Sequence, residues 1–169
     1  MDTPSRAGTG EGQAPARPAD SLYAVAMARA LELASAVGTS GDVPVGAVVL
    51  SSNGSLIGEG GNDREAEADI LGHAEVSALR SAARHTGSWR LDGATLVVTL
   101  EPCPMCCWAA QQARVERVVF GAWDDKAGAC GSVWDLARDR RALHRMEVIG
   151  GVLEAESAAL LGEFFRSRR

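Results

Sequence analysis

Apolar and polar positions follow two periods along this chain, and the changes between them mark its elements. "DSLYAVAMARALELASAVG", from Asp20 to about Gly38, repeats its apolar residues on a helical period, with Asp20 or Ser21 able to cap its start. "VPVGAVVL" (43–50) is a β-branched run that predicts a strand. The turn "SSNGS" holds Asn53-Gly54 and leads back into "LIGEG" (56–60), the signature of a hairpin. A polar loop, "NDREAEADILG" (62–72), then precedes "HAEVSALRSAARHTG", which is helical and closes on Gly87. "ATLVVTL" (94–100) has the unbroken apolar character of a buried strand. "PMCCWAAQQAR" places Pro104 in the first turn of a further helix. Beyond it come a strand in "VERVVFGA" (115–122), a short helix in "GSVWDLARD" (131–139) and a short strand in "MEVIGG" (146–151). "LEAESAALLGEFFRSRR" closes the chain as an amphipathic helix.

A hairpin followed by strands alternating with helices predicts an α/β fold in three layers, α/β/α. Its centre is a mixed sheet of about five strands with helices on both faces. No internal repeat is present. A chain of 169 residues that is 46% hydrophobic fits one domain, 20–169, with a core of its own. Residues 1–19 differ: "MDTPSRAGTGEGQAPARPA" is rich in Gly, Pro, Ala and charge, which predicts a disordered tail. It has no apolar segment after its charged start, so it does not read as a secretory signal. No apolar stretch is long enough to cross a bilayer, and the expectation is a cytoplasmic protein without membrane contact. The net charge of −5 argues mildly against a broad nucleic-acid coat, leaving "RSRR" as a small basic candidate.

Three of the four cysteines stand in "EPCPMCC". Crowding of this kind in a cytosolic chain points to metal or redox chemistry rather than to a disulfide framework. Cys103 and Cys106 fall where a strand gives way to a helix, so i and i+3 share one face. The positive helix end biases both toward thiolate. Taken alone, this C-x-x-C fits a metal site, a redox pair or inert core equally. A second element changes the balance: "GHAE" offers His73 and Glu75 at the mouth of another helix. One His and two Cys are three zinc ligands with a fourth position left open, which is the catalytic arrangement rather than the closed structural one. H-x-E followed at a distance by P-C-x-x-C is also the pattern of the zinc deaminases that act on nucleobases. The expected division of labour follows. His73, Cys103 and Cys106 hold one Zn2+ per subunit, which lowers the pKa of its water. Glu75, not a ligand, shuttles the proton as hydroxide adds to the base and ammonia leaves. Cys107 lies about 100° further round an ideal helix than Cys106 and reads as a packed thiol.

From about Ser21 onward the chain resembles the bacterial tRNA-specific adenosine deaminases, which have the cytidine-deaminase-like fold. "VPVGAVV", "GEGGN", "HAEVSALR", "LVVTLEPCPMC", "RVVFGAWDDKAGACGS" and "GGVLEAESAALLGEFFRSRR" carry the likeness. The resemblance implies a homodimer that converts adenosine to inosine at the wobble position of a tRNA anticodon stem-loop. It also implies that Asn62 and the Ala74 backbone N–H contact the flipped base. By the same likeness Val45 lines the pocket and Asp124 faces the neighbouring nucleotide. Departures from the family pattern fall at Gly61, "ADILG" before His73, Cys107-Trp108, Trp123 and Leu143. Losing a basic and an amide side chain from an RNA-facing surface keeps open a second reading, deamination of a free nucleobase or nucleoside. A third, a zinc scaffold without activity, has no use for Glu75. Cys130 reads as a small buried residue, and Trp134, Phe164 and Phe165 as core or subunit interface.

Overall fold

A computed structural model describes residues 18–168, and from Ser21 their side chains as well. Residues 1–17 of the expected tail lie outside the described residues. Among the described residues, four α-helices and five strands follow one another in the expected order, apart from the short helix expected over 131–139. They are α1 (Pro18–Ser40), β1 (Gly46–Leu50), β2 (Leu56–Gly61), α2 (Ala74–Thr86), β3 (Thr95–Leu100), α3 (Pro104–Gln112), β4 (Arg117–Ala122), β5 (Glu147–Ile149) and α4 (Glu154–Arg166). The sheet runs β2-β1-β3-β4-β5. Its first half is antiparallel, β1 pairing with β2 and with β3. Its second half is parallel, β4 lying between β3 and β5. The hairpin forms because Gly54 takes a φ of 85° that a side chain would resist, while Asn53 Oδ1 accepts from the Ser55 N–H at 3.1 Å.

Strand alternation sorts the core into two faces. Ala47, Val49, Leu96, Val98, Val118 and Phe120 point to the face covered by α2 and α3. Val48, Leu50, Val97 and Val119 point to the other, against Tyr23, Met27 and Ala30 of α1. Helix α4 joins α1 on that second face, with Ser157 buried against Gly121. Backbones approach closely where glycine permits it: a Cβ on Gly60 of β2 would stand 2.5 Å from the Ala74 carbonyl oxygen and 2.5 Å from the Ala78 nitrogen of α2. The first turn of α2 is thereby seated directly on the hairpin.

Several local expectations change. Helix α1 begins at Pro18 rather than Asp20, in keeping with proline's preference for a first turn. The expected helix over 131–139 is only a 3-10 turn at Leu136–Arg138. The N–H groups of Trp134 and Leu136 donate instead to Gly128 and Ala129, and Cys130 bridges to Asp135. The donors at Trp134 and Leu136 are thus spent on a neighbouring loop, and the Asp139 N–H turns back on the segment, closing the single 3-10 turn onto the Leu136 carbonyl. The last strand is shorter than expected, Glu147–Ile149. Cys107 and Cys130 are fully buried, as read from sequence, and Phe164 packs inside. Trp134 and Phe165 are half-exposed rather than core, and so is Trp108 beside the buried Cys107.

Candidate active site

Two helix N-termini meet at one end of the central strands of the sheet. His73 is the extended residue that precedes α2, with φ −89° and ψ 145°, so its ring leaves the helix at the end of the polar loop. Cys103 holds the same position before α3, with φ −69° and ψ 171°, and Pro104 starts the helix. Cys106 follows one turn later and is buried. Their ligand atoms converge: His73 Nδ1 stands 3.7 Å from Cys103 Sγ and 3.4 Å from Cys106 Sγ. All three atoms lie within 4.8 Å of one another, the single such cluster of His, Cys, Asp or Glu among the described residues.

These distances test whether zinc fits. Zn–N of about 2.0 Å and Zn–S of about 2.3 Å at a tetrahedral angle separate N from S by about 3.5 Å. The observed 3.4 and 3.7 Å bracket that value. The donor set is equally suited, one imidazole and two thiols, with no fourth side chain among the described residues in place to close the site. Protonation across the three side chains is polarised. The Cys103 thiol falls to about 4, chiefly through its hydrogen bond with Cys106 and further through His73. The same contact with Cys103 pushes Cys106 up, and His73 rises chiefly through its contact with Cys103. Two positive helix ends aimed at the cluster add to its preference for thiolate.

Glu75 lies in the first turn of α2, only 4% exposed, and does not join the ligand cluster. Burial raises its carboxyl to about 7, a value at which a carboxyl both accepts and releases protons near neutrality. Beside it opens a cavity of about 230 Å³ whose walls include His73, Glu75 and Cys103. The same cavity is lined by Val45, Asn62, Ala74 and Asp124, so the structure gathers every site residue expected from the sequence except the buried Cys106 along one wall system. Asn62 is partly committed: its Nδ2 donates to the Val43 carbonyl at 3.1 Å, while Oδ1 receives only a long 3.4 Å contact from the Arg64 N–H. Asp124 turns its carboxylate back on its own loop, accepting from the N–H groups of Lys126 at 2.9 Å and Ala127 at 3.2 Å.

Two buried acids of the wall were not expected there. Asp42 is 1% exposed and accepts the N–H groups of Glu65 at 2.9 Å and Ala66 at 3.0 Å, tethering the polar loop over the cavity. Glu101, also a wall residue, is 2% exposed. The only signal for Glu101 was a charge at the end of an otherwise apolar strand, "TLVVTLEP". For Asp42 the sequence offers no pattern.

The three-layer fold and the His-Cys-Cys cluster with a buried glutamate define a zinc-dependent deaminase architecture, and comparison with known proteins agrees. The chain belongs to the family of the cytidine and deoxycytidylate deaminase zinc-binding region, matched over residues 21–122. Within it, the chain is 45% identical to the tRNA-specific adenosine deaminase of Bacillus subtilis (strain 168), over 89% of this chain and 91% of that protein. A solved structure from work on A-to-I editing by tRNA:A34 deaminases at the wobble position superposes with a TM-score of 0.77 at 38% identity, covering 80% of this chain and 98% of the other. A guanine deaminase from Nitrosomonas europaea superposes with a TM-score of 0.70 at 28% identity, over 92% and 88% of the two chains. Among the described residues, no helix is long and apolar enough to cross a membrane.

Proposed function

We propose that this protein is a zinc-dependent hydrolytic deaminase that converts adenosine to inosine at the wobble position of a tRNA anticodon. It is read as acting in the cytoplasm as a homodimer with one zinc per subunit, the 20–169 segment serving as the deaminase domain. The observation that carries the reading is the joint one. The ligand cluster, the buried glutamate and their shared cavity stand in a chain that is 45% identical, almost end to end, to a tRNA-specific adenosine deaminase.

His73, Cys103 and Cys106 would hold the zinc, which when bound would acidify water and so supply the nucleophile at neutral pH. The chain's own residues do the rest. Glu75 takes the proton that the attacking water gives up. It gives that proton to the ring nitrogen beside the reacting carbon, then takes the second one from the hydroxyl now on that carbon and passes it to the amine, which leaves as ammonia. Water adds, ammonia leaves and inosine remains, so no oxidant or second substrate is needed. Asn62, through its less committed Oδ1, and the Ala74 N–H orient the base. Val45 packs on its face, and the Asp124 loop bounds the neighbouring nucleotide. At about 230 Å³ the cavity is below the size of clefts that swallow drug-sized ligands, which suits one extruded base with its backbone left outside.

A second reading rests on one observation. The loop over the cavity carries Asp63, Glu65, Glu67 and Asp69 against the single cation Arg64, a poor surface for a polyanion. That favours a free nucleobase, the kind of substrate that the name of the N. europaea guanine deaminase gives it. The test is direct: zinc-loaded protein is given an anticodon stem-loop with adenosine at the wobble position and, separately, a panel of free bases and nucleosides. Mass spectrometry is expected to show inosine in the RNA and no turnover of the panel. Turnover of a free base without inosine in RNA overturns the first reading in favour of the second.

A further inference from the structure

Glu101 has no part in the chemistry described above, and its surroundings are unusual for a carboxylate. It sits between the end of β3 and Pro102-Cys103, 2% exposed, with no cation paired to it among the described residues. Backbone N–H groups fill its oxygens instead. Oε2 accepts from Asp124 at 3.1 Å, and Oε1 accepts from Cys130 at 2.9 Å and from Ser132 at 3.1 Å. Bonds from neutral N–H groups to a buried carboxylate are charge-assisted and strong, and three of them determine where it lies. All three donors belong to one loop, 124–132, which follows β4 and supplies Asp124 and Ala127 to the cavity wall.

The loop is tied to the metal-bearing turn at a second point. The Ala129 N–H donates to the Pro102 carbonyl at 2.8 Å, one residue before Cys103. Its own tightness comes from the Ser132 hydroxyl and the Gly128 N–H, which both bond the Asp124 carbonyl, at 2.9 and 3.0 Å. Gly128 is needed for this closure, because a Cβ there would overlap both Glu101 Oε2 and Ser132 Oγ.

From this geometry we infer that Glu101 is a positioning residue: it registers the substrate wall at Asp124–Ala127 against the turn that carries Cys103. The inference rests on the deaminase reading for its substrate and on the hydrogen bonds alone for its structural half. The carboxylate is outside the ligand cluster, and both its oxygens are engaged by backbone N–H groups of the loop. It acts through the loop, so that the wall and the ligand turn move as one body. A carboxamide in its place would offer an NH2 group to an N–H donor, and at least one of the three bonds would be lost.

The test uses full-length, zinc-loaded protein with Glu101→Gln and, as an independent perturbation of the same loop, Gly128→Ala. Both variants are expected to keep one zinc per chain. Amide hydrogen exchange at Asp124, Cys130 and Ser132 should quicken at least tenfold while the amides of β1 and β2 stay unchanged. With the substrate that the wild-type protein turns over, KM should rise at least tenfold and kcat change less than threefold, since the loop holds the substrate and not the proton. Unchanged exchange at the three amides, or unchanged KM with a fall in kcat, overturns the inference. Loss of zinc in proportion to lost activity does so too, since it would make Glu101 a support of the metal site alone. Exchange and zinc content need no substrate, so if the stem-loop proves not to be one, they still decide the structural half. The kinetic arm then runs on whichever base is deaminated.

Discussion

Replacing Gly60 by alanine tests how rigidly the hairpin holds the first turn of α2. The new methyl group would stand 2.5 Å from the Ala74 carbonyl oxygen and 2.5 Å from the Ala78 nitrogen, against about 3.4 Å for ordinary contact. Both neighbours are helix backbone, so no side chain can swing aside. The helix must retreat from β2 by about 0.9 Å, or the strand must buckle by the same amount. Overpacking of this kind costs about 1–3 kcal/mol. Loss of glycine's freedom in the unfolded chain offsets about 0.4–1 kcal/mol of that. A net loss of about 1–2 kcal/mol corresponds to a fall in Tm of about 2–8 °C for a domain of this size. The effect on turnover should be larger than the effect on stability. His73 and Glu75 flank Ala74, and a misplacement of about 1 Å at reacting groups costs roughly 100-fold. The assay is kcat/KM for inosine formation together with Tm by differential scanning calorimetry. Gly87→Ala is the control: Gly87 caps the far end of α2 at φ 69°, and a Cβ added there would meet nothing within 4 Å. That variant should lose about 1–2 kcal/mol of stability from left-handed strain and leave kcat/KM alone. If Gly60→Ala keeps kcat/KM within threefold of wild type, the claim that hairpin packing sets the position of His73 and Glu75 is wrong.

Glu75→Gln should retain zinc and lower kcat by about 100- to 10,000-fold, the usual worth of a placed general acid–base; metal analysis and single-turnover kinetics check it, and retention of a tenth of the activity refutes the role. Removing zinc with a chelator should lower Tm by about 8–16 °C, taking about 4 kcal/mol for an ion held at a thousand times its Kd. Added zinc should restore it, and His73→Ala should abolish the response. Asp42→Ala should leave the Glu65 and Ala66 N–H groups without acceptors and quicken hydrogen exchange across 63–69, with KM raised and zinc content unchanged.

Much of the site was legible because its signals are local. Pro104 starts α3, Gly87 ends α2, and the Cys103/Cys106 spacing fixes a shared helical face. The pairing of His73-x-Glu75 with the cysteines needed only the idea that three ligands leave a fourth position open. What escaped are contacts between distant backbones and side chains. Asp42 receives N–H groups 23 and 24 residues away, and Glu101 receives them 23, 29 and 31 residues away. A buried acceptor for remote backbone donors has no period and no spacing to detect. The 131–139 segment failed for the same reason. Its composition suits a helix, but its N–H groups are claimed by Gly128 and Ala129, a preference that only the folded loop expresses.

The two halves of the sheet also differ in what they bring to the cluster. His73 and Glu75 follow the antiparallel hairpin, whereas Cys103 and Cys106 open onto the parallel strands, 30 residues or more further along the chain. Neither half alone holds a complete ligand set. A complete metal site therefore requires that the hairpin and the parallel strands be docked, and metal binding adds its free energy to that docking. A substitution that loosens this docking weakens zinc binding without touching a ligand, so zinc content gauges assembly as much as ligand chemistry.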